Sequence, residues 1–377
     1  MSGLPDKKAR YHLAGENCEW ASCLLDGDHL YIWYEKGCTA DQFLSSCLRK
    51  INLRDFSGIE NVTYDTHSCS KFASTLIDCG DHICVSDGGN SVIRKEDLAI
   101  TYMETEDYLS INGWSDDSHS FFFGGHYYRA VNTSTTPHKG YDVVDIESWS
   151  VVRRIDMDMN RVKLIDQGLC YGVRVSQKFA IYSLINSEFI FELDTSNNQS
   201  TEHSEPRRIR ADYNGEFLAV LCDNKLNVID PKNRTIKNTI SISDLNSLHT
   251  AAADAEANES DLCMTDIRFY EDDVILSSNR CIACVVPSSG ICRWAKFYPA
   301  NVSISLACMH GDLIFGSKNS KPHAWDRYTG IEVWSASTAL PCLSAQVSDN
   351  WVVYHQLAGH ITCYEWKKPY TSPDRPI

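Results

Sequence analysis

Apolar and polar residues alternate with a period of two in many short runs along the chain. Clear examples are HLYIWYE at residues 29–35 and KLNVIDP at residues 225–231. Successive side chains of a β-strand point to opposite faces, so this period indicates half-buried strands rather than amphipathic helices. Polar turns separate the runs, which predicts an all-β chain of short antiparallel strands.

The runs are grouped into larger repeats, each with an apolar run, a tight polar turn and two further runs. In the clearest pair, residues 273–294 and 312–334, Gly290 and Trp294 match Gly330 and Trp334. Spacings of about forty to sixty residues are typical of four-stranded propeller blades. The first turns mark eight repeats, at Asp26-Gly27-Asp28, Gly80-Asp81, Asp116-Asp117-Ser118, Gln167-Gly168, Asn214-Gly215, Glu271-Asp272-Asp273, Gly311-Asp312 and Asp349-Asn350.

The last repeat supplies only three strands, and the N-terminal run ARYHLAG at residues 9–15 offers a fourth. Joining the two ends of the chain in one sheet removes the exposed edges. We therefore predict a closed β-propeller of eight four-stranded blades, in one domain of residues 1–377, with an N-terminal strand completing the C-terminal blade. Seven blades is the alternative, because the third marker follows the second after an unusually short step.

Residues 326–334, DRYTGIEVW, resemble the D-x-x-T-G-x-x-x-W signature of quinoprotein-type β-propeller repeats. Residues 289–294 keep Gly290 and Trp294 of this signature but have Val286 in place of its aspartate. The resemblance implies a non-enzymatic member of the quinoprotein-type and WD40-like propeller superfamily, although the Gly-His and Trp-Asp signature of WD40 repeats is not recognisable. Because propellers serve many functions, the resemblance implies an architecture more than an activity.

Long irregular segments fall at equivalent places in the repeats. In a blade with strands A to D, the B–C turns and the D-to-A links lie on one face. The segments 36–45, 132–139, 195–206 and 242–263 all belong to that face. Elaborated loops on one side of a rigid scaffold are typical of a binding surface.

Residues 243–262 are predicted to form an acidic, partly helical insertion that begins with Ser243 as the N-cap. The segment contains five acidic residues and no Lys or Arg. It is either a solvated insertion without a partner or an arm that binds a basic surface. The candidate partner-binding residues are Asp41, Phe43, Asp244, Asp254, Glu256, Glu259 and Asp261.

The formal net charge is −15, from 50 acidic and 35 basic residues. Such a field repels nucleic acid and attracts a basic protein. We expect a cytoplasmic protein without membrane contact, because the sequence shows no secretory signal and no long apolar span. In that compartment the sixteen cysteines are expected to be reduced core residues.

No cofactor, metal ion or catalytic residue is predicted. Cys281 and Cys284 have C-x-x-C spacing, but residues three apart on a strand point to opposite faces. Asp156, Asp158 and Asn160 have the spacing of calcium-loop ligands, but Arg161 occupies the place of the required glycine.

These observations favour a cytosolic protein-binding propeller. The specific hypothesis is an inhibitor or immunity protein that neutralises a basic toxin or nuclease by masking it. Two alternatives stay open: a scaffold or adaptor in a protein assembly, and a propeller hydrolase or lyase with its site in the central funnel.

Overall fold

The computed structural model of the chain describes residues 4–12, 21–36, 44–66, 75–86, 90–103, 120–133, 136–165, 168–174, 176, 178–193, 209–222, 224–257, 262–338, 340–356, 360–366 and 370–375. The chain divides into two compact units. The first unit is His12–Ser196, and the second comprises Met1–Tyr11 and Asn197–Ile377. The expectation of a single domain over residues 1–377 stays a prediction.

The described residues form eight four-stranded sheets, which are the blades of a β-propeller. The first strand of the chain, β1 (Asp6–His12), belongs to the last blade. The first unit contains blade 1 with β2 (Ala21–Asp26), β3 (His29–Lys36), β4 (Leu44–Asn52) and β5 (Gly58–Thr66); blade 2 with β6 (Thr75–Cys79), β7 (His82–Ser86), β8 (Asn90–Arg94) and β9 (Ile100–Met103); blade 3 with β10 (Phe121–Phe123), β11 (His126–Thr133), β12 (Thr136–Asp145) and β13 (Ser150–Asp156); and blade 4 with β14 (Met159–Leu164), β15 (Leu169–Arg174), β16 (Phe179–Ser183) and β17 (Glu188–Leu193).

The second unit contains the other four blades and a helical link. These are blade 5 with β18 (Arg210–Tyr213), β19 (Leu218–Cys222), β20 (Lys225–Asp230) and β21 (Thr235–Ser241); blade 6 with β22 (Asp266–Tyr270), β23 (Asp273–Ser277), β24 (Cys281–Val286) and β25 (Ile291–Phe297); blade 7 with β26 (Ile304–His310), β27 (Leu313–Lys318), β28 (Lys321–Asp326) and β29 (Glu332–Ser335); and blade 8 with β30 (Cys342–Val347), β31 (Trp351–Gln356), β32 (His360–Glu365) and β1. A 3-10 helix (Ile242–Asp244) and α1 (Asn246–Asp254) lie between β21 and β22.

The prediction of eight four-stranded blades is confirmed, and the seven-blade alternative is wrong. The N-terminal strand does complete the last blade, since β1 lies next to β32 and Lys8 Nζ is 3.2 Å from Glu365 Oε2. The third marker was misplaced. The A–B turn of blade 3 is at Gly124 and Gly125, not at residues 116–118, which lie outside the described residues. With this turn the third repeat no longer follows the second after a short step.

The middle strands of a blade are buried on both faces. Every residue of β19 and β23 is buried, whereas β21 exposes its first three residues. In β24, Cys281 packs in a core with residues of blade 5, and Cys284 packs in another core with residues of blade 7. The C-x-x-C spacing therefore places its two thiols on opposite sides of the sheet, as the sequence predicts.

The residues of the DRYTGIEVW segment have separate packing roles. The Asp326 carboxylate accepts hydrogen bonds from the Thr329 amide and hydroxyl, each at 2.9 Å, and so closes the C–D turn. Trp294 of blade 6 donates from Nε1 to the Arg327 carbonyl of blade 7 at 2.9 Å. Trp334 of blade 7 donates in the same way to the Pro5 carbonyl beside β1. These tryptophans connect each blade to the next one.

Arg327 forms a buried charged cluster beneath these turns. Its side chain is 1% exposed, and Nη2 donates to Glu271 Oε2 at 2.6 Å. Asp273 Oδ2 lies 3.5 Å from Arg327 Nε. Asp312 accepts the Ser372 amide at 2.9 Å, so the C-terminal segment packs against the same cluster. The buried carboxylates of Asp273 and Asp312 are therefore matched by the Arg327 guanidinium and the Ser372 amide.

Gly290 and Gly330 offer a matched test of the contact between blades. Both have φ +68°, but a Cβ at Gly330 would lie 2.6 Å from Trp294 Cε3, whereas a Cβ at Gly290 would meet nothing within 4 Å. We expect Gly290→Ala to lower the free energy of unfolding by about 1 kcal/mol, because it places a side chain in the left-handed region. Gly330→Ala should lower the free energy of unfolding by about 1 to 3 kcal/mol more than Gly290→Ala does, because the Trp294 ring must move. Urea unfolding of both variants measures this, and equal losses would contradict the packing role of Gly330.

Candidate partner-binding surface

Backbone hydrogen bonds define two ends of each blade. In the second unit, amides at the D-to-A links donate hydrogen bonds to carbonyls of the B–C turns. The Ile242 amide donates to the Asn224 carbonyl and the Cys342 amide to the Ser320 carbonyl, both at 2.8 Å. We call this side the linker end. At the opposite side, the turn end, the Arg327 amide joins the C–D turn to the A–B turn at the Asp312 carbonyl, at 2.9 Å. The sorting of loops predicted from the sequence is confirmed for these blades.

The link between β21 and β22 is the most elaborate described feature of the linker end. Ile242, Leu245 and Leu248 pack in one core with Met264 and apolar residues of blades 5 and 6. Leu248 and Ala252 are both buried and lie four positions apart on α1, so one face of the helix is turned toward the protein.

The predicted N-cap at Ser243 is wrong. Helix α1 begins at Asn246 after Leu245, which makes no side-chain cap hydrogen bond. Ser243 lies within the 3-10 helix, and its hydroxyl is 2.6 Å from the Ser241 hydroxyl. The apolar Leu245 is buried at the cap position, so packing of this side chain decided where the helix begins.

The polar side of the link faces solvent and carries negative charge. Asp244, Asp254 and Glu256 are exposed. Within the described part of the chain, the carboxylates of Asp254 and Glu256 have no hydrogen bond or ion pair. These two acidic groups therefore contribute no contact that holds the link in place.

Two acidic residues lie where helix stability disfavours them. Asp254 is the last residue of α1, next to the negative end of the helix dipole. Glu256 has φ +50° and donates its amide to the Ala253 carbonyl, while the Ala257 amide reaches the Ala252 carbonyl. This is the Schellman arrangement, which favours glycine where Glu256 stands. Local rules of stability are often broken at functional positions, which favours a binding role for these acidic groups.

The structure brings together three of the predicted site residues. Asp244, Asp254 and Glu256 belong to one link at the linker end. Residues 132–139 are not a long loop, because β11 continues to Thr133 and β12 begins at Thr136. The remaining predicted site residues, Asp41, Phe43, Glu259 and Asp261, lie outside the described residues. The same is true of residues 37–43 in the predicted loop 36–45 and of the whole predicted loop 195–206.

A charged group within blade 7 was missed by the sequence analysis. Glu332 lies 2.8 Å from Lys318 Nζ and 3.1 Å from His323 Nδ1. Burial raises the pKa of Glu332, but the contacts with Lys318 and His323 have the larger opposite effect. The pKa of Glu332 therefore lies below its ordinary value. Burial lowers the pKa of His323, although Glu332 opposes this effect. The three side chains come from three strands, so no sequence spacing marks them.

Other candidate chemistry has structural explanations. The Asp158 carboxylate is bound by Arg174 Nε at 3.0 Å, which argues against a calcium loop at residues 156–160. Among the described residues, no group of three or more His, Cys, Asp or Glu side chains is arranged to hold a metal ion. Among the described cysteines, all except Cys263, Cys308 and Cys342 are buried. Burial raises the pKa of the Cys342 thiol to about 11, so it is uncharged at neutral pH. No helix in the described ranges has the length and apolar character to cross a membrane.

The eight four-stranded sheets define a β-propeller. Solved structures with this fold include BamB from Moraxella catarrhalis, at TM-score 0.64 and 11% identity, covering 98% of this chain and 100% of that one. Sqt1 from Saccharomyces cerevisiae is similar at TM-score 0.64 and 12% identity, over 98% and 100% of the two chains. The C-terminal WD40 domain of Sif2 is similar at TM-score 0.60 and 10% identity, over 97% and 99%. No protein-family model and no curated protein matches the sequence.

Glu256 tests the cost of the acidic helix end. We expect Glu256→Gly to raise the free energy of unfolding by about 1 kcal/mol, because glycine adopts positive φ without strain. Glu256→Gln removes only the charge, so it should raise stability by about 0.3 to 1 kcal/mol through the helix dipole. Chemical denaturation compares the two variants. A glycine variant less stable than the glutamine variant would show that the backbone at this position is not strained.

Buried imidazoles predict a loss of stability in mild acid. Burial lowers the pKa of His323 and His355, so the folded protein favours their neutral forms. Their contribution to the free energy of unfolding is present above the unfolded pKa of about 6.5 and is lost as the pH falls below that value. Urea midpoints at pH 7.5 and 5.5 should therefore differ less in His323→Gln and His355→Gln than in the original protein. His249→Gln is the control, because His249 is exposed on α1, and an equal effect of all three would contradict the role of burial.

Proposed function

We propose that this protein binds a basic protein partner through the linker end of the second unit, with the acidic link 242–263 as the main contact. The single observation that carries the proposal is the pair Asp254 and Glu256, exposed and unpaired within the described chain, at positions that disfavour the helix. An exposed link on a rigid blade is a common place for recognition. The net charge of −15 favours a basic partner and speeds the encounter.

The finer proposal is a cytosolic inhibitor that masks a basic toxin or nuclease. An acidic surface competes directly with the polyanionic substrate of a nuclease, so one contact serves both binding and inhibition. Most of the described cysteines are buried, which suits reduced core residues in a reducing compartment. A scaffold that assembles a basic protein would use the same surface, but it would bind its partner without inhibiting it.

A binding role is favoured over catalysis by two observations. The buried carboxylates Asp273 and Asp312 both lie near Arg327 at the turn end, where they stabilise the packing of blades 6 and 7. The Cys342 thiol has a raised pKa and is a poor nucleophile at neutral pH. A funnel hydrolase or lyase is therefore the weaker alternative.

A charge-matched pair of variants tests the proposed contact. The link variant carries Asp244→Asn, Asp254→Asn, Glu256→Gln, Glu259→Gln and Asp261→Asn. The control variant changes five exposed acidic residues at or beside A–B and C–D turns: Glu96→Gln, Glu147→Gln, Glu188→Gln, Glu216→Gln and Asp272→Asn. Both variants therefore change the net charge by the same amount.

We expect capture of a basic protein from native lysate by the original protein and by the control variant, with loss of capture in the link variant and at high salt. With the purified partner, the association rate of the link variant should fall by about tenfold or more, because exposed charges act chiefly on association. Equal losses in both variants would indicate only a general field effect. Unchanged capture by the link variant would remove the link from the interface. Inhibition of the partner's activity at equimolar ratio separates the inhibitor from the scaffold.

A further inference from the structure

A cavity of about 210 Å³ lies among the inner strands of blades 6, 7 and 8. Its walls include Arg268 from β22, Ser305 from β26, Ser317 from β27 and Ser344 from β30. The hydrogen bond between the Cys342 amide and the Ser320 carbonyl places it near the linker end. None of the lining residues belongs to the acidic link, so the cavity is a separate feature.

Two β-bulges shape this cavity. The pairing of β26 with β27 shifts between Leu306 and Cys308, and the pairing of β30 with β31 shifts between Cys342 and Ser344. Bulges redirect side chains and often occur beside functional sites. Two of the three inner strands that line the cavity, β26 and β30, therefore depart from regular pairing at the cavity itself.

The wall between the two bulges is tightly fixed. A Cβ at Gly316 would lie 2.2 Å from the Ser305 carbonyl oxygen, so only glycine fits beneath β26 at this point. The Tyr354 hydroxyl is within hydrogen-bond distance of the Gly316 carbonyl, at 3.1 Å, and is fully buried. The cavity is consequently a preformed space between rigid strands rather than a gap in loose packing.

Arg268 is held so that one of its nitrogens stays available. Nε donates to the Ala307 carbonyl at 2.8 Å, and Nη1 donates to Asp266 Oδ1 at 2.8 Å and to the Ile267 carbonyl at 2.6 Å. Within the described chain Nη2 has no acceptor. A guanidinium fixed at three points with a free donor is an oriented group for an oxyanion.

Hydroxyl groups add further donors. Ser305, Ser317 and Ser344 are among the residues that line the cavity, and their hydroxyls have no hydrogen-bond partner among the described residues. Leu343 and Ala345 supply apolar walls beside them. The cavity thus combines donors with an apolar surface, as small-molecule sites do.

Charge and size limit the ligand. Asp266 already pairs with Arg268, so the site does not offer two positive charges to a phosphate dianion. The volume of about 210 Å³ is smaller than the sites of drug-sized ligands. We propose that the cavity binds a small monocarboxylate with a short apolar body, with Arg268 Nη2 and the serine hydroxyls donating to the carboxylate.

Calorimetric titration of the full chain with butanoate, hexanoate and benzoate tests this proposal, with butanamide and inorganic phosphate as comparison ligands. At least one acid should bind, and it should bind about tenfold or more tightly than the amide, since hydrogen bonds to charged groups are the stronger ones. Binding of phosphate above all acids, equal binding of amide and acid, or no binding of any acid would each overturn the proposal.

Variants then locate the binding. Arg268→Gln should weaken binding of the acid by about tenfold or more, and Arg268→Lys should restore this binding only in part. Because Arg268 also holds β26 through Ala307, Ala345→Met supplies a second variant that fills the cavity without changing charge. Ser335→Val, on β29 of blade 7 and outside the cavity lining, is the control and should leave binding of the acid unchanged. Undiminished binding by the folded Ala345→Met protein would place the acid elsewhere and overturn the proposal.

Discussion

Burial of the middle strands on both faces is the constraint on which the rest of this structure depends. In blade 6, residues of β24 alternate between two hydrophobic cores, one shared with blade 5 and the other with blade 7. A sheet with two apolar faces needs a neighbour on each side, so a single blade is not stable alone. The near-continuous apolar runs of the repeats, such as CIACVV, express this requirement in the sequence.

Much of the fold was predictable because it depends on short-range patterns. Alternating runs and polar turns located seven of the eight A–B turns. The turn of blade 3 was misplaced, because the polar residues 116–118 have the sequence pattern of a turn as clearly as Gly124-Gly125 has. The candidate surface was only partly predictable. The acidic residues are visible in the sequence, whereas the start of α1 depends on the burial of Leu245. Bulges and the anchoring of Arg268 depend on register between strands, which residue patterns do not specify.

In the second unit, the contacts that stabilise the turns and the proposed binding surface lie at different ends of the blades. At the turn end, Asp326 closes its turn with hydrogen bonds, and Arg327 is buried among carboxylates. At the linker end of the second unit, Glu256 adopts a conformation that favours glycine. Changes at the linker end therefore disturb few of the contacts that hold blades together. Such separation lets a propeller vary its ligands while keeping its architecture.

The pairing of β1 with β32 has a consequence for the order of synthesis. The strands of the other seven blades lie between Asp6–His12 and its partner strand His360–Glu365 in the sequence. During translation β1 has no place in a sheet until β32 has been made, and the contact that joins them closes a very long loop. The last blade can thus form only after the strands of all the other blades have been synthesised. Premature termination would leave an unpaired strand edge, the feature by which incomplete chains aggregate or are captured by chaperones.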